Sequence, residues 1–199
     1  MGKLFCIMGK SASGKDTIFR RLTEDERLSL KKVVPYTTRP SRKGEENGRD
    51  YYFVSEDKYE KMCRERRIIE RRTYQTVNGP WHYFTADDGQ IDLSKGSYII
   101  IGTLEAYVQI CRYYGKENVI AIYIEVEDAV RLERAFLREK SQNQPNYAEM
   151  CRRFLADCED FSEEKLQEAG IVKRYENLDG DICYRQICED MMKYCTMEK

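Results

Sequence analysis

The chain has 199 residues, with 34 basic and 35 acidic side chains for a net charge of −1. That length suits one domain able to bury its own core, and the near-neutral balance gives no case for a nucleic-acid or acidic-polymer partner. The longest apolar runs, 98–101 and 119–124, fall far short of the roughly 20 residues a membrane helix needs, so a soluble chain with no membrane partner is expected.

Residues 4–8, LFCIM, are too few for the apolar core of a signal peptide and pass straight into a glycine-rich turn. They are expected to form the first strand of the mature fold. Gly9, Gly14 and Lys15 then meet the pattern G-x-x-x-x-G-K-[ST], with Asp16 where a hydroxyl residue normally stands. After the turn, Ile18, Phe19 and Leu22 recur at helical spacing. Strand, loop and helix in that order are what a phosphate-binding loop requires. The stretch Gly9, Lys10, Ser11, Ala12, Ser13, Gly14, Lys15, Asp16 and Thr17 is therefore expected to bind ATP: backbone N–H groups face the polyphosphate, the helix start adds positive potential, and Lys15 reaches the outer phosphates.

A second short strand is expected at 32–34, followed by the polar, turn-rich stretch PYTTRPSRKGEENGRDYYFVS and a strand at 51–54. Ser55 opens a charged helix reaching about residue 67. β-rich runs at 68–77 and 81–85 are separated by Asn78-Gly79-Pro80, so residues 35–85 read as an antiparallel, locally connected insert. By contrast, 97–102 and 118–126 are nearly unbroken apolar strands around a helix at 104–113, the pattern of parallel strands covered on both faces. Residues 128–165 are helical and charge-rich, broken at SQNQPN, where Pro145 ends one helix and Asn146 can start another; this hinged pair is a candidate lid. A strand at 172–177 and a helix from 179, with Ile182, Ile187 and Met191 facing the sheet, close the chain. The eight cysteines are scattered with no C-x-x-C pair, the usage of a reduced, cytoplasmic protein with buried thiols.

The loop, together with Thr37-Thr38-Arg39-Pro40-Ser41-Arg42-Lys43-Gly44-Glu45 and Asn47-Gly48-Arg49-Asp50-Tyr51-Tyr52-Phe53, resembles the guanylate kinase family. That family's signature is a Thr-rich turn, two arginines three apart, a Gly-Glu, a further Gly, then Asp-Tyr-x-Phe. The resemblance implies an α/β fold: a P-loop NTPase three-layer core with a parallel sheet (1–34, 86–127 and 166–199), a small antiparallel monophosphate-binding insert (35–85) and a helical lid (128–165), all within one domain. It implies that Arg39, Arg42 and Tyr51 grip the phosphate of GMP, chemistry that planar guanidinium forks and a phenol suit. Tyr83 matches the family's second phosphate-contacting tyrosine, Glu70 its guanine-reading carboxylate and Thr85 its guanine-contacting serine. A carboxylate accepts the adjacent N1–H and N2–H₂ of guanine, whereas adenine presents a mismatched edge. Arg134 and Arg138, one helical turn apart, and Arg153 resemble the lid arginines that, with Lys15, act at the transferring group.

Three departures stand out. Pro35 replaces a guanine-contacting serine, and Ile101 and Thr103 stand where the family has two acids. Asp16 is then expected to replace both the missing hydroxyl and the missing acid at Mg²⁺, directly or through water, with Thr17 an auxiliary hydroxyl and Glu105 a competing source of charge. The only histidine, His82, is not expected to be catalytic, because a monophosphate oxygen is already anionic and needs positioning more than a base. The resulting expectation is a cytoplasmic enzyme, monomer or homodimer, transferring the γ-phosphoryl group of Mg-ATP to GMP or dGMP. The alternatives are a catalytically inactive phosphopeptide-binding module of the same family, or a kinase for a different monophosphate.

Overall fold

Strand β1 (Leu4–Met8) is fully buried, and the two-residue period of a strand splits its side chains between two cores. The computed structural model describes residues 1–76 and 79–196. Leu4, Cys6 and Met8 join one cluster with Leu104, Tyr107 and Ile110 of helix α3 (Leu104–Tyr114). Phe5 and Ile7 point the other way, against Ile18, Phe19 and Leu22 of α1 (Lys15–Glu24) and Ile187 and Met191 of α7 (Gly180–Thr196). Each such apolar side chain contributes about 1.5–3 kcal/mol on full burial, so β1 anchors both helix layers.

The main sheet is all parallel, in the order β2 (Lys31–Lys32), β7 (Tyr98–Ile101), β1, β8 (Val119–Glu125), β9 (Arg174–Glu176). With helices on both faces this is the expected three-layer α/β core. Strand β2 is only two residues and stops short of the expected 32–34, although Val33 still donates its N–H to Ile99 O. Ile182 is 46% exposed, contrary to the expectation that it faces the sheet; Cys183 and Cys188 take that place beside Ile187 and Met191, because the helix turns Ile182 outward.

A second, four-stranded sheet has the order β4 (Tyr52–Phe53), β3 (Tyr36–Thr37), β6 (Gly79–Ala86), β5 (Ile68–Thr76). The β5–β6 and β6–β3 pairs are antiparallel, but β3 and β4 run parallel, so the insert is mixed rather than wholly antiparallel. The long turn-rich connection between them gives the chain room to come back in the same direction. Val77 and Asn78 of the expected hairpin connection lie outside the described residues. Helix α2 (Glu56–Arg64), capped by the Ser55 hydroxyl, packs Tyr59 and Met62 on Tyr36 and Phe84 of this sheet.

The expected helix pair is three helices: α4 (Asp128–Lys140), α5 (Tyr147–Asp160), capped by Asn146, and α6 (Glu163–Glu168), capped by Ser162. Phe161 and Leu166 tie α6 and its entry to the core, which leaves α4 and α5 as the rest of the expected lid segment. Among the described residues, no helix is long and apolar enough to cross a membrane.

Candidate active site

The glycine loop leaves the C-terminal end of β1 and enters α1. Gly14 has a left-handed backbone, φ 81°, and a Cβ there would lie 2.4 Å from Asn177 Nδ2. That amide donates to Ser13 O at 2.7 Å, locking the loop to the segment after β9. At Gly9 a Cβ would meet Ile124 O at 2.6 Å, so the loop can lie against β8 only without a side chain. Ser13 is buried, and its hydroxyl oxygen has no hydrogen-bond partner among the described residues. A buried unpaired hydroxyl inside a loop of backbone donors suits an incoming anion's oxygen.

Residues of α4 and α5, the expected lid segment, touch this loop. Asp157 of α5 accepts a 2.7 Å hydrogen bond from the Ser11 N–H through Oδ2. Arg131 of α4 is 1% exposed and donates to Ser11 O at 3.1 Å and to Asp128 Oδ1 at 2.8 Å, while its guanidinium carbon lies 4.3 Å from the Phe154 ring centre. Arg153 donates to Ser11 Oγ at 3.3 Å. Of the arginines named from the sequence, Arg153 therefore reaches the loop, whereas Arg134 donates to Asn177 O at 3.0 Å and Arg138 is exposed further along α4. Sequence reasoning missed Arg131, Asp157 and Asn177. Arg131 lies one turn before Arg134 on the same helix, a signal that the spacing alone carried.

Lys15 pairs with Asp16 at 3.5 Å, and the Asp16 side chain is 82% exposed. Thr17 is exposed as well. Thr103 caps α3 by accepting from the Ala106 N–H, and Glu105 accepts from Gln109 Nε2 at 3.4 Å. Among the described residues there is no cluster of three or more His, Cys, Asp or Glu side chains that would by itself hold a metal. The exposed Asp16 carboxylate is a ligand type that Mg²⁺ accepts readily, so the residues present fit a site that would draw its other ligands from phosphate oxygens and water.

The insert carries the second cluster. Arg39 is 3% exposed; it donates from Nε to Tyr83 Oη at 3.0 Å and makes a bidentate pair with Glu45 at 2.6 and 2.7 Å. The rings of Tyr51 and Phe53 lie 5.1 and 5.5 Å from its guanidinium carbon. The Arg39 guanidinium holds the Glu45 carboxyl down to about 2. Burial, with the neighbouring Tyr83, raises the Tyr51 phenol above its ordinary value, so it stays a donor at neutral pH. Arg42 is exposed at the mouth of the cluster. The hydrogen bond from Arg152 lowers the pKa of Glu149 on α5, with smaller contributions from the charges of Arg153 and Arg42.

Glu70 lies deeper on the same face. It is 1% exposed, and Thr85, itself buried, donates to its Oε1 at 2.9 Å. Arg72 donates to both of its oxygens. Glu70 is thus no solvated surface side chain. Helix α3 braces this strand from the core: Gln109 accepts from the Arg71 N–H and donates to Arg71 O, each at 3.1 Å. His82 is bound up in the scaffold, stacked 4.1 Å from Tyr59 and hydrogen-bonded to Thr73 and Glu56.

The guanylate kinase family model matches residues 1–86, the span holding the loop and the insert. A guanylate kinase of Mycoplasma mobile is 30% identical over 145 residues, 71% of this chain and 71% of its own. The chain belongs to the guanylate kinase family. A guanylate kinase of Neisseria gonorrhoeae is 36% identical over 108 residues, 54% of this chain and about half of its own length. The crystal structure of guanylate kinase from Anaplasma phagocytophilum superposes with a TM-score of 0.66 over 97% of this chain and 86% of that one, at 22% identity. That last likeness speaks for the fold.

Proposed function

We propose that the chain transfers the γ-phosphoryl group of ATP to GMP or dGMP, giving ADP and GDP or dGDP. The observation that carries this reading is the single face of the insert sheet on which a buried guanidinium, Arg39, and a buried carboxylate, Glu70, stand at opposite ends of a row through Tyr83, Arg72 and Thr85. One end suits a phosphate monoester and the other the N1–H and N2–H₂ edge of guanine.

In this reading Arg39, Arg42, Tyr51 and Tyr83 hold the acceptor phosphate, and Glu70 with Thr85 reads the base. Glu45 aims the Arg39 fork. The loop N–H groups and Lys15 hold the donor's phosphates, and Arg153 and Arg131 bring lid charge to Ser11 at the loop's edge. Closing α4 and α5 over the donor excludes water, which would otherwise compete as acceptor. Arg134 anchors the lid to Asn177, and Arg138 adds charge only if closure brings it inward. Asp16 would hold Mg²⁺, with Thr17 adjacent; that ion neutralises phosphate charge when bound. No general base is required, in keeping with the structural bonding of His82.

The test is ADP formation by the purified protein with Mg-ATP and GMP, dGMP, AMP, UMP or CMP in turn. Turnover with GMP and dGMP, abolished in Lys15→Ala, is expected; turnover confined to another acceptor, or none with any, overturns the proposal.

A further inference from the structure

Alternation along β5 sets Glu70, Arg72 and Tyr74 on one face, directly across from Thr85, Tyr83 and Trp81 of β6. Arg72 does not extend toward solvent. Its Nε and Nη2 donate to Glu70 Oε2 and Oε1 at 3.2 and 3.3 Å, and the two side chains are 12% and 1% exposed. Thr85 takes a further lone pair of Oε1. The carboxylate assigned to the base is therefore already capped on both oxygens by a planar pair of N–H donors.

The capping group has a particular chemistry. The N1–C2–N2 edge of guanine is itself a guanidine unit, two parallel N–H donors on one carbon, matching in shape and spacing the fork that arginine presents to a carboxylate. We propose that Arg72 is a specificity-determining residue of the acceptor pocket: its guanidinium occupies Glu70 as an internal stand-in for the guanine edge, and an acceptor base must offer the same donor pair to replace it. The inference rests on the reading of Glu70 as the base-binding carboxylate.

Its consequences follow from counting bonds. Guanine returns to Glu70 the two donors it takes away, so displacement leaves no carboxylate oxygen unpaired. Adenine brings an acceptor nitrogen to that edge and returns none, which leaves a buried charge without its partners. Arg72 is paired across the strands with Tyr83, which Arg39 also contacts, so a displaced guanidinium has the proposed acceptor-phosphate site as its neighbour. The cap thus makes admission of the wrong base costly, at the expense of affinity for the right one. Pro35 stands where the resemblance leads one to expect another polar contact to the base, so this exchange carries more of the discrimination.

The experiment is steady-state kinetics on Arg72→Met and Arg72→Lys alongside the wild type, varying GMP, AMP and ATP separately, with a crystal structure of the wild type bound to GMP. Arg72→Met should lower the KM for GMP about tenfold because the competitor is gone, and Arg72→Lys, a point donor without a fork, should lower it by a smaller factor. The KM for ATP should stay within twofold in both, and in the complex Arg72 should have left Glu70. A purely structural pair would instead raise both KM values as the pocket loosens. An unchanged or higher KM for GMP in either folded variant, or a bound structure with Arg72 still on Glu70, overturns the inference; should Arg72→Met fail to fold, Arg72→Lys and the complex decide it. Absence of GMP turnover by the wild type would instead sink the proposed activity, a distinct result.

Discussion

Replacing Gly14 by alanine tests how the donor loop is held. The residue sits at φ 81°, where a Cβ costs roughly 1–2 kcal/mol in backbone energy. The new methyl would also lie 2.4 Å from Asn177 Nδ2, too close to stay, so the amide must withdraw from Ser13 O. Asn177 is buried, and losing that hydrogen bond adds about 1–3 kcal/mol. The sum, around 3 kcal/mol, corresponds to a fall in Tm of roughly 6–12 °C for a chain of this size. Gly89→Ala is the control: it has φ 87° with nothing among the described residues within 4 Å of the added methyl, so it carries the backbone cost alone. Thermal unfolding by circular dichroism should therefore rank Gly14→Ala well below Gly89→Ala, and ATP binding by calorimetry should weaken only in the former. Equal Tm values for the two variants would refute the claim that Asn177 locks the loop.

Other expectations concern the charges around the two substrates. Asp157→Ala frees the Ser11 N–H from a charged acceptor, so the KM for ATP should fall by about tenfold while that for GMP holds; a rise would mean that the carboxylate organises the loop instead of occupying it. Glu45 has its folded pKa lowered to about 2 from an ordinary 4.5, chiefly by Arg39. Its contribution to stability is therefore complete above the unfolded value and lost as pH falls from 4.5 toward 2. Acid unfolding curves of Glu45→Gln should be flatter than wild type across that window, and superimposable curves would remove the pair from the stability account. Asp16→Ala should raise the magnesium concentration needed for half-maximal turnover several-fold; an unaltered magnesium dependence would show that the loop carboxylate is not a donor to the ion.

Much of the architecture was legible along the chain because it follows from local periodicity. The unbroken apolar runs of β7 and β8 announce strands covered on both faces, and the glycine loop between β1 and α1 announces a phosphate site by its spacing. The N-caps at Ser55 and Asn146 are equally local, since each hydroxyl or amide serves an N–H three residues on. Reading failed where the outcome depended on distant partners. The parallel pairing of β3 with β4 is set by a loop path, and the outward turn of Ile182 by the rotation of α7 on the sheet.

Residue types and spacing determined that this chain carries a glycine loop between a strand and a helix and two arginines three apart, the features behind the proposed polyphosphate and phosphate-monoester sites, because those demands are met by neighbours in sequence. Only the tertiary structure decided which lid arginines reach the loop, that Asp157 holds its Ser11 N–H, and that Arg72 closes over Glu70. The lid–loop contacts join residues far apart in the chain. Arg72 and Glu70, although only two residues apart, could as easily have diverged toward solvent; they meet because the insert sheet buries that face and leaves a carboxylate needing a partner.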